Sequence, residues 1–71
     1  MKLKGETVGQ RLKEARLARK WSRAVLARRS QVGEGLIVKW EQIDQMPRSD
    51  LLAKVTEALG VTMDEIVRGA K

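Results

Sequence analysis

The sequence predicts an all-α fold, compact and built from five short helices. Three observations predict it. Apolar residues recur at helical spacing along the chain, with no clean period-two stretch. Side chains that cap helix starts stand just ahead of the apolar runs. Glycines and the single proline, Pro47, mark the breaks between them. At 71 residues the chain is long enough for one domain and too short for two. That domain is expected to span residues 1–71, with helices near 7–20, 23–30, 34–42, 50–59 and 63–68.

Each element has its own local reason. Thr7 and Gln10 have the spacing of a capping box, so a first helix starts there. Val8, Leu12 and Ala15 then share a face, with Leu17 beside them. Ser22 is a good cap for a second helix, although Val25 stands where a capping box would have Glu or Gln. Leu26 and Ala27 supply its apolar contacts. A short turn from Gln31 to Gly33 leads to a third helix, in which Ile37 and Trp40, three apart, face the core. Gly33 and Gly35 weaken its start, since an interior glycine costs roughly 0.5–1 kcal/mol relative to alanine. The run Ile43-Asp44-Gln45-Met46-Pro47 reads as a loop. Ser49 is expected to cap a fourth helix carrying Leu51, Leu52, Val55 and Leu59 and stopping at Gly60. Thr62 and Glu65 form a second capping box, starting a last helix with Met63, Ile66 and Val67 that ends at Gly69.

Composition narrows the function. The chain has no histidine, which removes the usual general base and the commonest metal ligand. It has no cysteine, so neither a disulfide nor a thiolate site forms. Its carboxylates are scattered, and Gly33-Glu34-Gly35 is too short to cradle a phosphate. The reading is therefore not an enzyme, with no cofactor, no metal and no small-molecule substrate. No apolar run approaches a membrane span, and Met1 to Gly5 lacks the apolar stretch of a signal peptide. A soluble protein is expected, cytoplasmic if natural. The formal net charge is +6, which suggests nucleic acid first. The charge is uneven: residues 1–29 carry a net +8 and residues 30–71 a net −2. Solvated helix faces would look the same.

Four pieces in order carry a family resemblance: Arg11-Leu12-Lys13-Glu14-Ala15-Arg16; Trp21-Ser22 with Leu26-Ala27; Ile37 with Trp40-Glu41; and Ala58-Leu59-Gly60-Val61-Thr62-Met63-Asp64-Glu65. With them the chain, from Val8 to Gly69, resembles the phage-repressor (Cro-like, XRE-type) helix-turn-helix domains. The resemblance implies a repressor-like helix-turn-helix fold and a buried, structural ion pair between Arg16 and Glu41. It also implies that the third helix lies in the major groove of duplex DNA. By position, Glu34, Gly35 and Lys39 would read bases. Ser22, Arg23 and the loop from Gln42 to Gln45 would hold phosphates, with Arg28 able to help.

The sequence departs from that pattern on one side. Gly35 has no side chain to read with, and Lys39 is the one cation between Ser30 and Pro47. Gln31 stands where the family has glycine, and Ser30 where it has an apolar residue. Ile43 occupies a position where the family has glycine in a left-handed conformation, which suits a β-branched residue poorly. Either the third helix runs further or the loop is rebuilt. Val25, Val38 and Ile43 replace polar residues, and with Leu36 and Met46 they would make one apolar patch unless Leu36 and Met46 are core.

A retained core beside a rewritten face fits a scaffold put to a new use. It fits a natural domain that acquired a protein partner, and better an engineered scaffold, a designed binder. Protein binding is therefore expected first, through Val38, Gln42, Ile43, Asp44, Gln45 and Met46, with Val25 beside them. Ile43 would anchor in a concave pocket of a folded target and Asp44 would accept hydrogen bonds. A pocket for an acidic sugar, as on a viral receptor-binding glycoprotein, is one target of that chemistry. The alternative is sequence-specific binding of duplex DNA, as a dimer on a two-fold site, by a transcriptional regulator.

Overall fold

The computed structural model describes residues 3–43 and 47–68. Its helices are α1 (Val8–Ala18), α2 (Arg23–Ser30), α3 (Glu34–Gln42), α4 (Ser49–Leu59) and α5 (Met63–Val67), and the described residues contain no strand. α1 packs on α3 and α5, α2 packs on α3 and α4, and α4 meets α5. The core between them is Leu12, Ala15, Leu26, Ile37, Trp40, Leu52, Val55, Leu59 and Ile66, joined by Leu3 and Val32.

Local chemistry accounts for most helix ends. Thr7 Oγ1 accepts from the Gln10 amide, while Gln10 Oε1 accepts from the Glu6 amide, so the reciprocal bond falls one residue before the cap. Ser22 Oγ accepts from the Val25 amide. Thr62 and Glu65 close a full capping box, whose Thr62 amide holds the Glu65 carboxyl below its ordinary range. Gly60, at φ 73°, ends α4 in a Schellman turn: its amide donates to Glu57 O and the Val61 amide to Thr56 O. α1 ends in the same bond pattern two residues earlier than its sequence suggested, with Lys20 at φ 61° in the left-handed position.

Several expectations need correction. Ser49 is not the cap of α4 but its first helical residue; Arg48 occupies the cap position and makes no side-chain capping bond. Leu17 is not core but 52% exposed, because α1 turns Leu12 and Ala15 inward and Leu17 falls outside their arc. Leu36, left open between surface patch and core, is exposed. Ile43 is the C-cap of α3 and not left-handed: it stays right-handed at φ −100° and its amide donates to Lys39 O, so the β-branched residue avoids the conformation that would have suited it poorly. Asp44, Gln45 and Met46, and the expected stop at Gly69, lie outside the described residues. A left-handed residue stands before α3, at Gln31 with φ 60°. Ser30, buried where an apolar residue was expected, donates to Leu26 O and accepts from the Val32 amide, so its hydroxyl is satisfied.

Two features close the ends of the chain onto the bundle. The Glu14 carboxylate accepts the amides of Lys4 and Gly5 at 2.8 to 2.9 Å, which seats Leu3 in the core. Arg11, buried on α1, donates from Nε to Ile66 O, from Nη2 to Val67 O and from Nη1 to Gly5 O. It thereby caps the C-terminus of α5 and ties it to the N-terminal segment. The amide bonds from Lys4 and Gly5 hold the Glu14 carboxyl below its ordinary value of 4.5. A depressed folded value means that this attachment is at full strength above the unfolded value and weakens as pH falls through the folded one. Acidification should therefore deprotect the Lys4 and Gly5 amides to hydrogen exchange before the core amides. In Glu14→Gln that acid-induced step should be missing; an unchanged step in the variant would refute the assignment.

Candidate nucleic-acid interface

α2, the turn Gln31 to Gly33, and α3 form a helix-turn-helix unit whose second helix is locked from behind. Ile37 and Trp40 are buried, and the Glu41 side chain is only 1% exposed. The Arg16 guanidinium meets it in a fork, Nε to Oε2 at 2.8 Å and Nη2 to Oε1 at 3.0 Å. Nη1 of the same arginine donates to Trp21 O at 2.8 Å. One side chain thus joins α1, the start of α2 and the end of α3.

Advancing about 100° per residue from the buried pair Ile37 and Trp40 places Gly35, Lys39 and Gln42 on the outward face of α3. All three are exposed, as is Glu34 in the first turn. The same arithmetic puts Leu36 and Ile43, seven residues apart, about 20° from each other on one flank. Val38 lies on the opposite flank, with Glu41. The apolar residues around α3 therefore do not form the single patch expected from the sequence. Val38 and Val25 are half-buried, whereas Ile43 is 66% and Leu36 38% exposed.

Gly35 deserves its own test, because an added Cβ there would meet open space. Its backbone is helical and it is exposed. Gly35→Ala should stabilise the fold by about 0.5–1 kcal/mol through lower backbone entropy in the unfolded chain. Chemical denaturation would measure this, and a loss of stability would mean the position has a packing constraint the geometry does not reveal.

The basic charge of the first 29 residues is not a free patch. Arg11 and Arg16 are buried in the contacts described. Arg19 donates from Nε to Leu59 O and sits over the Trp21 ring at 5.2 Å, with Arg29 also over that ring at 4.9 Å. Arg23 donates from Nε to Glu41 Oε1 at 3.1 Å. Five arginines of this stretch thus act on the fold, capping helices and bracing an indole. Around α2 and α3 the cations turned to solvent are Arg28, Arg29 and Lys39, all exposed, and Arg23, whose side chain is 31% exposed. Ser22 is exposed too, with its hydroxyl occupied as the α2 cap.

Sequence reasoning missed Arg11, Leu3, Val32 and Gly9. Only Gly9 carried a local signal: a glycine inside a helix costs stability, so its presence calls for a packing reason. That reason is the α3 backbone beside it.

The family model described as helix-turn-helix matches residues 12–66, most of the chain. The chain belongs to the helix-turn-helix family. Its architecture is similar to that of the P22 c2 repressor protein, solved in complex with synthetic operator 9T in the presence of Tl+. The TM-score is 0.84 at 24% identity, covering 93% of this chain and 100% of that one. This likeness confirms the repressor-like, all-α fold of this helix-turn-helix chain. No curated protein matches the sequence. Among the described residues no helix is long and apolar enough to cross a membrane.

Proposed function

We propose that this chain binds duplex DNA, with α3 in the major groove and the start of α2 against the phosphates. The observation that carries this reading is the outward face of α3. Glu34, Gly35, Lys39 and Gln42 are free to meet a partner, while the Arg16–Glu41 fork fixes the helix that presents them. Membership of a family of DNA-binding regulators, rather than enzymes, supports it. So does the repressor of the same fold, which was crystallised on an operator. This reverses the order expected from the sequence.

The chemistry of the face sets the kind of binding. Lys39 can reach guanine O6 or N7, Gln42 can pair with adenine, and Glu34 can accept from cytosine N4, each worth about 1–3 kcal/mol of discrimination. Gly35 reads nothing. Ser22, Arg23 and Arg28 supply the phosphate side. Few base readers imply modest specificity. Selection from a randomised duplex pool at low salt tests the proposal. An enriched site, with affinity falling as salt rises, is expected; no enrichment and no retention would sink it.

A second reading is favoured by one observation. Ile43 and Leu36 are exposed on one flank of α3, and large apolar residues of that kind suit a protein partner. Here Ile43 would anchor in a concave pocket, with Gln42 beside it and Asp44, Gln45 and Met46 following in sequence. Val38, half-buried on the other flank, and Val25, half-buried on α2, would contribute little. Neither fold nor family calls for an engineered origin, and this reading does not need one. Ile43→Gly should abolish a protein interaction while leaving the melting temperature unchanged or higher. A lower melting temperature with binding intact would make Ile43 structural.

A further inference from the structure

We infer that Glu41 is a positioning residue for the phosphate contact of Arg23, holding that guanidinium by one edge so that the other edge meets the DNA backbone. The inference rests on the duplex-binding reading and adds a mechanism to it.

Glu41 Oε1 accepts from Arg23 Nε at 3.1 Å, in addition to the Arg16 bonds. The carboxylate is buried and already fixed by the Arg16 fork, so it is a rigid acceptor rather than a mobile surface acid. Arg16 also pins the carbonyl of Trp21, two residues before Arg23, and Ser22 caps the helix that Arg23 begins. Both the backbone and the Nε of Arg23 are therefore set in place from the same network. A guanidinium bonded through Nε keeps its two Nη groups for a second partner, and its planar fork matches two oxygens of a phosphodiester. With one carboxylate against two guanidiniums, the cluster keeps a net charge of +1, so the Glu41 charge does not cancel attraction for phosphate. Pre-organising the fork removes rotamer entropy that a free surface arginine would lose on binding. Lysine at this position would carry the charge but could not hold Glu41 and a phosphate in the same fixed fork.

The experiment measures duplex affinity over a range of salt for the unaltered chain, Arg23→Ala and Arg23→Lys, with melting temperatures as controls. It also follows the Arg23 Nε proton by NMR, free and duplex-bound. Arg23→Ala should lower affinity roughly tenfold, the worth of a charge-assisted hydrogen bond. It should also reduce the salt slope by about 0.9, one phosphate contact. Arg23→Lys should keep the slope and still lose affinity. The Nε proton should stay protected from exchange in the complex while the Nη signals shift. If Arg23→Ala leaves the slope unchanged, if Arg23→Lys binds like the unaltered chain, or if the Nε proton loses protection on binding, the inference falls and duplex binding stands. If the unaltered chain binds no duplex, the functional reading falls and takes the inference with it.

Discussion

Gly9→Ala is expected to cost about 3 kcal/mol or more, at or beyond the upper end for overpacking. A Cβ at position 9 would lie 2.1 Å from Trp40 O and 3.2 Å from the Cα and O of Glu41. Those atoms are backbone, so no rotamer change can relieve the clash. α1 must move away from α3, and that motion opens the packing around Trp40 and pulls Arg16 from Glu41. The helix-propensity gain from replacing glycine, roughly 0.5–1 kcal/mol, opposes this and is smaller. A chain of this size has only about 4–10 kcal/mol of stability in total. Urea denaturation should show a midpoint far below that of the unaltered chain, or no folded baseline. A loss of unfolding free energy under about 0.5 kcal/mol, the range of an ordinary surface substitution, would mean that the two helices do not approach as closely as described.

Glu41→Ala is expected to cost about 3–5 kcal/mol, because it leaves Arg16 buried without its counter-charge. The loss exceeds that of an exposed ion pair, about 0–1 kcal/mol, since both partners are almost sealed from water. Replacing Arg16 and Glu41 together by apolar residues of similar volume should recover part of this loss. Recovery should be incomplete, since Arg16 also holds Trp21 O and Arg23 also uses Glu41. A double-mutant cycle on thermal unfolding reads the coupling directly. If the single variant costs under 1 kcal/mol, the network does not support the fold in the way proposed.

How much of this was legible beforehand depends on the range of each interaction. The apolar spacing gave Leu12, Leu26, Ile37, Trp40, Leu52, Val55, Leu59 and Ile66 as inward positions, and they are buried. The same spacing could not separate Leu12 from Leu17, or say that Leu36 is exposed. Both fit a helical stripe, and only the neighbouring helices decide how wide the buried arc is. The Arg16–Glu41 pair was legible through family resemblance, not spacing. At the candidate site, Glu34, Gly35, Lys39 and Gln42 were legible through the same resemblance, and all four are exposed. The expected single patch of Val25, Leu36, Val38, Ile43 and Met46 is not seen among the described residues, because α3 separates Leu36 and Ile43 from Val38; Met46 lies outside them.

Charge was the least legible property. An excess of lysine and arginine in the first 29 residues looked like a surface for nucleic acid. Arg11 instead reaches carbonyls 55 and 56 residues away, and Arg19 reaches one 40 residues away. The sequence alone determined the five helices, most of their caps and the inward positions Ile37 and Trp40 of α3, because those depend on contacts within about four residues along the chain. Tertiary structure alone decided which cations are available for binding. A guanidinium is long and multiply donating, and its role depends on which distant helix end or carboxylate the fold brings within hydrogen-bonding reach.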